Sequence, residues 1–165
     1  MPIRHAQAHD LDRIVAIYNA AIPERLATAD TEPVTVQSRE TWFGEFDPTR
    51  RPLWVFVPGR DAAIQGWLSL RSFYGRPAYA TTVEVGVYVD PASRGRGVAR
   101  ALLAHALDLA PALQIRTVLA FVFGHNAPSL ALFDRAGFAR WGRLPRVALL
   151  DGVERDLVIL GRRTA

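Results

Sequence analysis

Two places in this sequence combine residue types that could do chemistry. The first is Arg94-Gly95-Arg96-Gly97, directly ahead of an apolar helical pattern running from Val98 to Leu109. A helix leaves its first N–H groups without intrahelical acceptors, and its aligned peptide dipoles add about half a positive charge at the same end. An acidic first turn often answers that charge, and none is present here. Ser93 could cap the helix, but the two glycines that follow free the backbone to turn successive amides inward and admit a bulky anion. The arginines add charge. Residues in this order describe a phosphate cradle at a helix N-terminus. The second place is Glu84, the one carboxylate in the apolar strand pattern Thr81 to Val89. Burial there would raise its pKa toward the range of a working base. A structural glutamate satisfied by a nearby arginine is the competing reading.

Composition excludes much else. With no cysteine there is no disulfide, no thiolate metal site and no cysteine nucleophile. The histidines, His5, His9, His105 and His125, show no metal-ligand spacing, and no metal is expected. A P-loop needs a lysine, and every basic residue of this chain is arginine. The GxGxxG dinucleotide fingerprint does not fit either. The net charge is +4. The arginines are scattered rather than gathered on a basic face with interleaved aromatics, so nucleic acid is not an expected partner. No apolar run is long enough to span a bilayer, and the N-terminus lacks the apolar segment of a signal peptide. A cytoplasmic protein without a membrane partner is expected, with its 165 residues forming one domain.

The elements that must position these residues follow from periodicity. A short strand is expected over Pro2 to Gln7, then a helix over Asp10 to Ala21 with Leu11, Ile14, Val15 and Tyr18 at helical spacing. Ser38 is the expected N-cap of a short helix carrying Trp42, Phe43 and Phe46. Leu53 to Val57 reads as a central strand, with Ala63 to Arg71 returning as its hairpin partner. A loop from Ser72 to Tyr79 leads into the strand Thr81 to Val89. The Ser93–Ala110 loop and helix, a strand over Val118 to Phe123, and a helix over Asn126 to Ala136 with Gly137 as a left-handed cap come next. Phe138 to Leu144 and Val153 to Leu160 make a final strand pair across Asp151-Gly152. The expected fold is α/β (α+β): a mixed, mostly antiparallel twisted sheet of about 6–7 strands with helices on both faces. Gly86 interrupts its strand and suggests a bulge. Such a bulge would splay this strand from the next and open a cleft lined by unpaired backbone groups, suited to a long amide-bearing ligand with a diphosphate at one end. Trp42, Trp54, Trp67 and Trp141 are assigned to the core, with Trp42 alone able to reach the site.

The loop Arg94-Gly95-Arg96-Gly97-Val98-Ala99 resembles the R/Q-x-x-G-x-G/A signature of the GNAT family of acetyl-CoA-dependent N-acetyltransferases. Asn126-Ala-Pro-Ser129-Leu-Ala-Leu-Phe133-Asp-Arg-Ala-Gly137-Phe138 matches a second family segment, and the resemblance runs from Ile3 to Leu160. IYNAAI near the start, Arg76-Pro-Ala-Tyr79, and Thr82-Val83-Glu84 resemble the phosphinothricin and methionine sulfoximine acetyltransferases within that family. The resemblance implies acetyl-CoA as co-substrate and a small-molecule amine as acceptor. It implies that backbone groups of Val87 and Val89, beside Tyr88, hold the acetyl and pantetheine portions. The stretch Arg94, Gly95, Arg96, Gly97, Val98, Ala99 and Arg100 holds the pyrophosphate, with Asn126, Ser129 and Phe133 further along the cofactor. It also implies a homodimer, with the last strands and the Trp42 helix as contact surfaces. Lacking a cysteine, the chain is expected to use direct attack in a ternary complex, with Glu84 as base, directly or through a water. Many relatives carry tyrosine at the position of Phe133, which cannot donate a proton. Water, Tyr88, another group, or departure of an unprotonated thiolate remain open for that step. Arg71 and Arg76 are the candidates for holding an acidic group of the substrate, and Phe73 and Tyr79 for walling its pocket. A peptide N-terminus as acceptor and a non-catalytic acyl-CoA-binding module are the alternative functions.

Overall fold

The computed structural model describes residues 2–164. Strand β1 (Ile3–His5) leads into helix α1 (Leu11–Ala21) and, after an irregular segment, helix α2 (Val36–Gly44). Three strands follow, β2 (Leu53–Phe56), β3 (Gly66–Ser72) and β4 (Thr82–Val89), then helix α3 (Val98–Leu109). Strand β5 (Thr117–Phe123), helix α4 (Ala127–Arg135) and the hairpin β6 (Ala139–Leu150) and β7 (Val153–Arg163) complete the chain. The strands form one seven-stranded sheet in the order β1-β2-β3-β4-β5-β7-β6. All neighbours are antiparallel except β4 and β5. The crossover through α3 gives that parallel pair. The crossover through α4 does not give a second, because β7 inserts between β5 and β6.

The sheet is covered on both faces. Alternate residues of β2 show how: Leu53 and Val55 pack with Ile14, Ile17 and Trp67 beneath α1, whereas Trp54 joins Leu102, Leu103 and Phe133 beneath α3 and α4. In α3, Val98, Leu102 and Ala106 are buried as their spacing requires, but Leu109 in the last turn is exposed and Ala110 is buried instead. Trp54 is core as expected. Trp141 is not: it lies half-exposed on edge strand β6, its ring over Gly161, where there is no room for a Cβ.

Two local expectations are corrected. Helix α2 is capped by Thr35, whose Oγ1 accepts from the Ser38 amide at 3.0 Å; Ser38 is the N3 residue of that motif rather than its cap. Strand β6 continues through Pro145 to Leu150, with register shifts between Arg140 and Gly142 and between Leu144 and Ala148. A proline is tolerated there because β6 is the edge strand and the irregularity removes the need for its amide. Asp151 and Gly152 both have positive φ, 51° and 79°, the backbone of a tight hairpin turn.

Asp10 does not cap α1 through its side chain. It is buried and accepts two bonds from the Arg4 guanidinium, at 2.7 and 3.0 Å, and one from the Gln7 amide at 2.7 Å. Burial pushes its pKa up, but the Arg4 and Gln7 hydrogen bonds and the positive charge outweigh it, and the net shift is down. A lowered folded pKa stabilises the fold above the unfolded pKa, and this contribution is lost as pH falls through the folded value. Asp10→Asn is expected to cost about 1–2 kcal/mol at neutral pH, reduced by the exposure of Arg4. The gap from wild type should close in acid below the ordinary aspartate range, as read by urea melts at several pH values.

Candidate active site

Strands β4 and β5 part company soon after they meet. Their parallel ladder holds only for Thr82–Thr117, Val83–Val118 and Glu84–Leu119. Each strand stays fully paired on its outer side, β4 to β3 and β5 to β7. The bonds Phe73 N to Thr82 O and Asp90 N to Gln65 O flank the β3–β4 ladder. Their alternation turns the backbone groups of Val85, Val87 and Val89 away from β3, toward β5. Beyond Glu84 those of Val87 and Val89 face a gap. The pairing of β4 with β3 runs through Gly86 opposite Ser69 without a register shift, so the expected bulge is absent and the splay has another origin. It is a parting of two intact half-sheets. The resulting cleft has a volume of about 580 Å³. Val85 to Tyr88 form one wall and Ala120 to Phe123 the other, with Asn126, Ser129 and Phe133 beyond.

At the end of β4 the chain enters the Arg94–Gly97 loop. Gly95 and Gly97 have φ of 72° and 79°, the left-handed region where side chains strain the backbone. Gly97 is the N-cap residue of α3, with no side-chain cap and no acid in the first turn. Ser93 does not cap this helix; it is buried in the 3-10 turn Pro91–Ser93. None of the amides from Gly95 through Val98 and Ala99 to Arg100 has an acceptor among the described residues. Arg96 and Arg100 are exposed and have no acidic partner there. Arg94 differs: its guanidinium forms a two-pronged contact with Glu24 at 2.7 and 3.1 Å, so the first turn's missing carboxylate is supplied in part from another segment. Open amides next to guanidiniums fit a diphosphate, and the adjoining cleft fits an extended amide chain.

Beneath α1 and α2 lies a smaller cavity of about 140 Å³. Glu84, Gly86 and Tyr88, three alternate residues of β4, line both voids. Glu84 is half-buried; burial raises its pKa, and the facing Arg71, its cross-strand partner, lowers it less. Tyr88 stacks on Trp67 with ring centres 4.7 Å apart, and its hydroxyl donates to Ala27 O at 3.2 Å. Burial and the neighbouring Tyr18 push its pKa up, so the phenol keeps its proton. Arg39 completes the cavity, its guanidinium 4.8 Å from the Tyr18 ring centre and 3.2 Å from Asp30.

Of the residues chosen from sequence for the substrate, only Arg71 lines this cavity. Phe73 lies in the larger cleft, stacked 6.5 Å from Phe121. Arg76 and Tyr79 sit in an exposed loop and line neither void, although Tyr79 packs edge-on against Phe73 at 5.3 Å. Phe133 is buried against Phe138 and borders the cleft. Tyr18, Arg39 and Ser69 were missed, and Trp67, assigned to the core, also faces the cavity. The tyrosine sits on the helical face read as core, and nothing local marks any of the other three. Trp42 does reach the site, as its position allowed.

Residues Glu24 to Asp30 cross the end of the cleft as a strap. Arg94 holds Glu24, the His125 ring nitrogen Nε2 meets Arg25 O at 2.7 Å, and Asn126 Nδ2 donates to Leu26 O at 3.0 Å. Asn126 also caps α4, its Oδ1 accepting from Ser129 N at 3.2 Å. Its side chain is thus occupied by the protein, while Ser129 borders the cleft.

Comparison with known proteins places these features in context. A model of the acetyltransferase (GNAT) family matches residues 14–138. A Bacillus subtilis protein named "Putative phosphinothricin acetyltransferase YwnH" is 50% identical, the match covering 98% of each chain. A Pseudomonas aeruginosa L-methionine sulfoximine/L-methionine sulfone acetyltransferase is 32% identical over 96% of this chain and 91% of its own. A crystal structure of a Sinorhizobium meliloti phosphinothricin acetyltransferase in complex with acetyl-CoA superposes with a TM-score of 0.91 at 27% identity, covering 99% of this chain and 89% of that one.

Asn126→Ala removes both the α4 cap and the tie to Leu26. We expect a loss of about 1–2 kcal/mol and faster amide hydrogen exchange confined to the strap and the first turn of α4. Unchanged exchange at residues 26–30 would show that the strap is held without Asn126.

Proposed function

The chain belongs to the acetyltransferase (GNAT) family and is an acetyl-CoA-dependent N-acetyltransferase; from that premise we propose that its acceptor is the primary amine of a small amino-acid-like compound of the phosphinothricin, methionine sulfoximine or methionine sulfone type. The observation that carries this reading is Glu84 shared between a cleft shaped for an extended cofactor and an amino-acid-sized cavity. The cavity's size and its two guanidiniums, Arg71 and Arg39, favour a free acidic compound over a peptide N-terminus. The names of the relatives point to the same acceptors. Residues 1–165 act as one catalytic domain in this reading.

Acetyl-CoA supplies an activated thioester. Open amides from Gly95 to Arg100, with Arg96 and Arg100, hold its diphosphate, and the backbone of Val87 and Val89 continues the contact along the cleft. The Val87 amide polarises the acyl carbonyl. Glu84 takes the amine proton, directly or through a water, and Arg71 opposite it holds the acidic group of the acceptor. With no cysteine in the chain, the amine attacks in a ternary complex. Phe133 cannot supply a proton to the departing sulfur; Tyr88, which borders the cleft, is our candidate for that step once its hydroxyl leaves Ala27 O.

The exposed apolar residues Trp141, Leu144, Val147, Leu149 and Val153 on the last hairpin support a homodimer formed through these strands. The Trp42 ring is turned into the cavity, and the outer face of the helix that carries it is the other candidate contact surface. A cytoplasmic location goes with this reading; no described helix is long and apolar enough to cross a membrane.

Thiol release, read with a thiol-reactive dye against a panel of methionine sulfone, methionine sulfoximine, phosphinothricin and ordinary amino acids, tests the acceptor. Glu84→Gln is expected to lower turnover roughly 10²- to 10⁴-fold with CoA affinity nearly intact, and equal turnover would remove Glu84 from the base role. The acid limb of kcat/KM should lie above the ordinary glutamate range. Because Arg71 lowers the Glu84 pKa, Arg71→Ala should move that limb to higher pH. Gly97→Asp, which places a negative charge and a strained side chain at the diphosphate site, should abolish CoA binding in calorimetry. Leu149→Arg should shift the protein toward monomer in sedimentation.

A further inference from the structure

Three cross-strand pairs of β3 and β4 pave one face of the sheet beneath the small cavity. Arg71 pairs with Glu84, Ser69 with Gly86, and Trp67 with Tyr88. The first rung is charged and the last aromatic. The middle rung carries almost no side chain, and Gly86 borders both the cavity and the cofactor cleft. Of the three β4 residues that border both voids, Gly86 is the one with no side chain to fill the space between them.

Ser69 stands opposite Gly86. The residue is 4% exposed and lines the cavity, and no hydrogen bond among the described residues engages its hydroxyl. Its Oγ lies 3.1 Å from where a Cβ on Gly86 would sit, so it leans over the glycine. A hydroxyl that opens onto a cavity without a protein partner is free to bond to whatever fills it. One aimed into a cavity between a base and an acyl cleft has a ligand as its natural partner.

We propose that the Ser69 hydroxyl is a substrate-contact residue that accepts a hydrogen bond from the acceptor amine and aims its lone pair through the Gly86 opening. The inference rests on the acetyltransferase reading above. A primary amine poised for attack carries two N–H bonds and one lone pair. Ser69 Oγ holds one N–H and Glu84 takes the proton shed as the C–N bond forms and the C–S bond breaks, the thiolate leaving with the bonding electrons. Gly86 serves this geometry sterically. A methyl there would press on Ser69 Oγ, whereas its next neighbour, Tyr88 Cε2, is at an ordinary 3.7 Å.

The test is a double-mutant cycle of Ser69→Ala and Gly86→Ala, measured as kcat and KM for methionine sulfone and as CoA affinity by calorimetry. S69A is expected to lower kcat/KM for the amine roughly 10- to 100-fold, the scale of one hydrogen bond to a charged or polarised donor. CoA affinity should be unchanged, which a general folding defect would not spare. G86A should impair the wild type but cost markedly less in the S69A background, because the atom it presses on is gone. Turnover by S69A within twofold of wild type, or a G86A penalty equal in both backgrounds, overturns the inference and leaves the acetyltransferase reading standing. A wild type that neither turns over nor binds any amine of the panel overturns the acceptor assignment and this contact with it. If S69A loses CoA binding through misfolding, G86A alone decides: normal amine kinetics with a methyl against Ser69 Oγ overturns the contact.

Discussion

The parting of β4 from β5 after three paired residues is the constraint on which the rest of the site depends. A buried backbone amide or carbonyl without a partner costs free energy. In this sheet each separated strand stays fully bonded on its outer side, so the exposed groups are confined to one seam. That seam leads directly to the uncapped start of α3. In the proposed reading an extended chain of amides ending in a diphosphate would satisfy both, the ladder positions of Val87 and Val89 and the amides of the glycine loop. Gly86 is in register with Ser69 and carries no bulge. What it contributes is the absence of a side chain where the two voids meet.

Charge in the site is balanced between different elements of the fold. Glu24 answers Arg94 at the head of the phosphate loop, Asp30 answers Arg39 over the Tyr18 ring, and Arg71 faces Glu84 across two strands. Each pairing leaves part of the charge available: Arg96 and Arg100 stay open, and burial still holds the Glu84 pKa up despite Arg71. The strap from Glu24 to Asp30 ties the phosphate loop, β4 and the start of α4 together. The cleft's mouth and the strand that carries Glu84 are thereby braced by one segment.

Much of this was legible in the chain. The glycines at 95 and 97 marked the left-handed turns, alternation marked Thr82 to Val89 with its lone carboxylate, and Gly137 marked the end of α4. The helix caps were read less well. Thr35 and Ser38 lie three residues apart in an irregular region, and either hydroxyl satisfies the same composition rule. The smaller cavity was read least well. Arg76 and Tyr79 looked suitable because they precede the strand that carries Glu84, yet their loop turns outward. Arg39 comes from the weakly patterned segment between α1 and β2, and Ser69 is an unremarkable position inside a strand.

The sequence by itself determined what neighbours along the chain decide: which stretches are strands or helices, where a helix begins with open amides, and which strand holds a buried carboxylate. Only the tertiary structure decided which groups meet. Arg94 and Glu24 are 70 residues apart, Tyr88 and Ala27 61, and Asn126 and Leu26 100. The physical reason is range. Periodicity and capping act over a few residues, whereas the insertion of β7 beside β5, the seam along β4 and the cavity floor of Ser69 and Gly86 are set by strand order and register. No single stretch of residues encodes these.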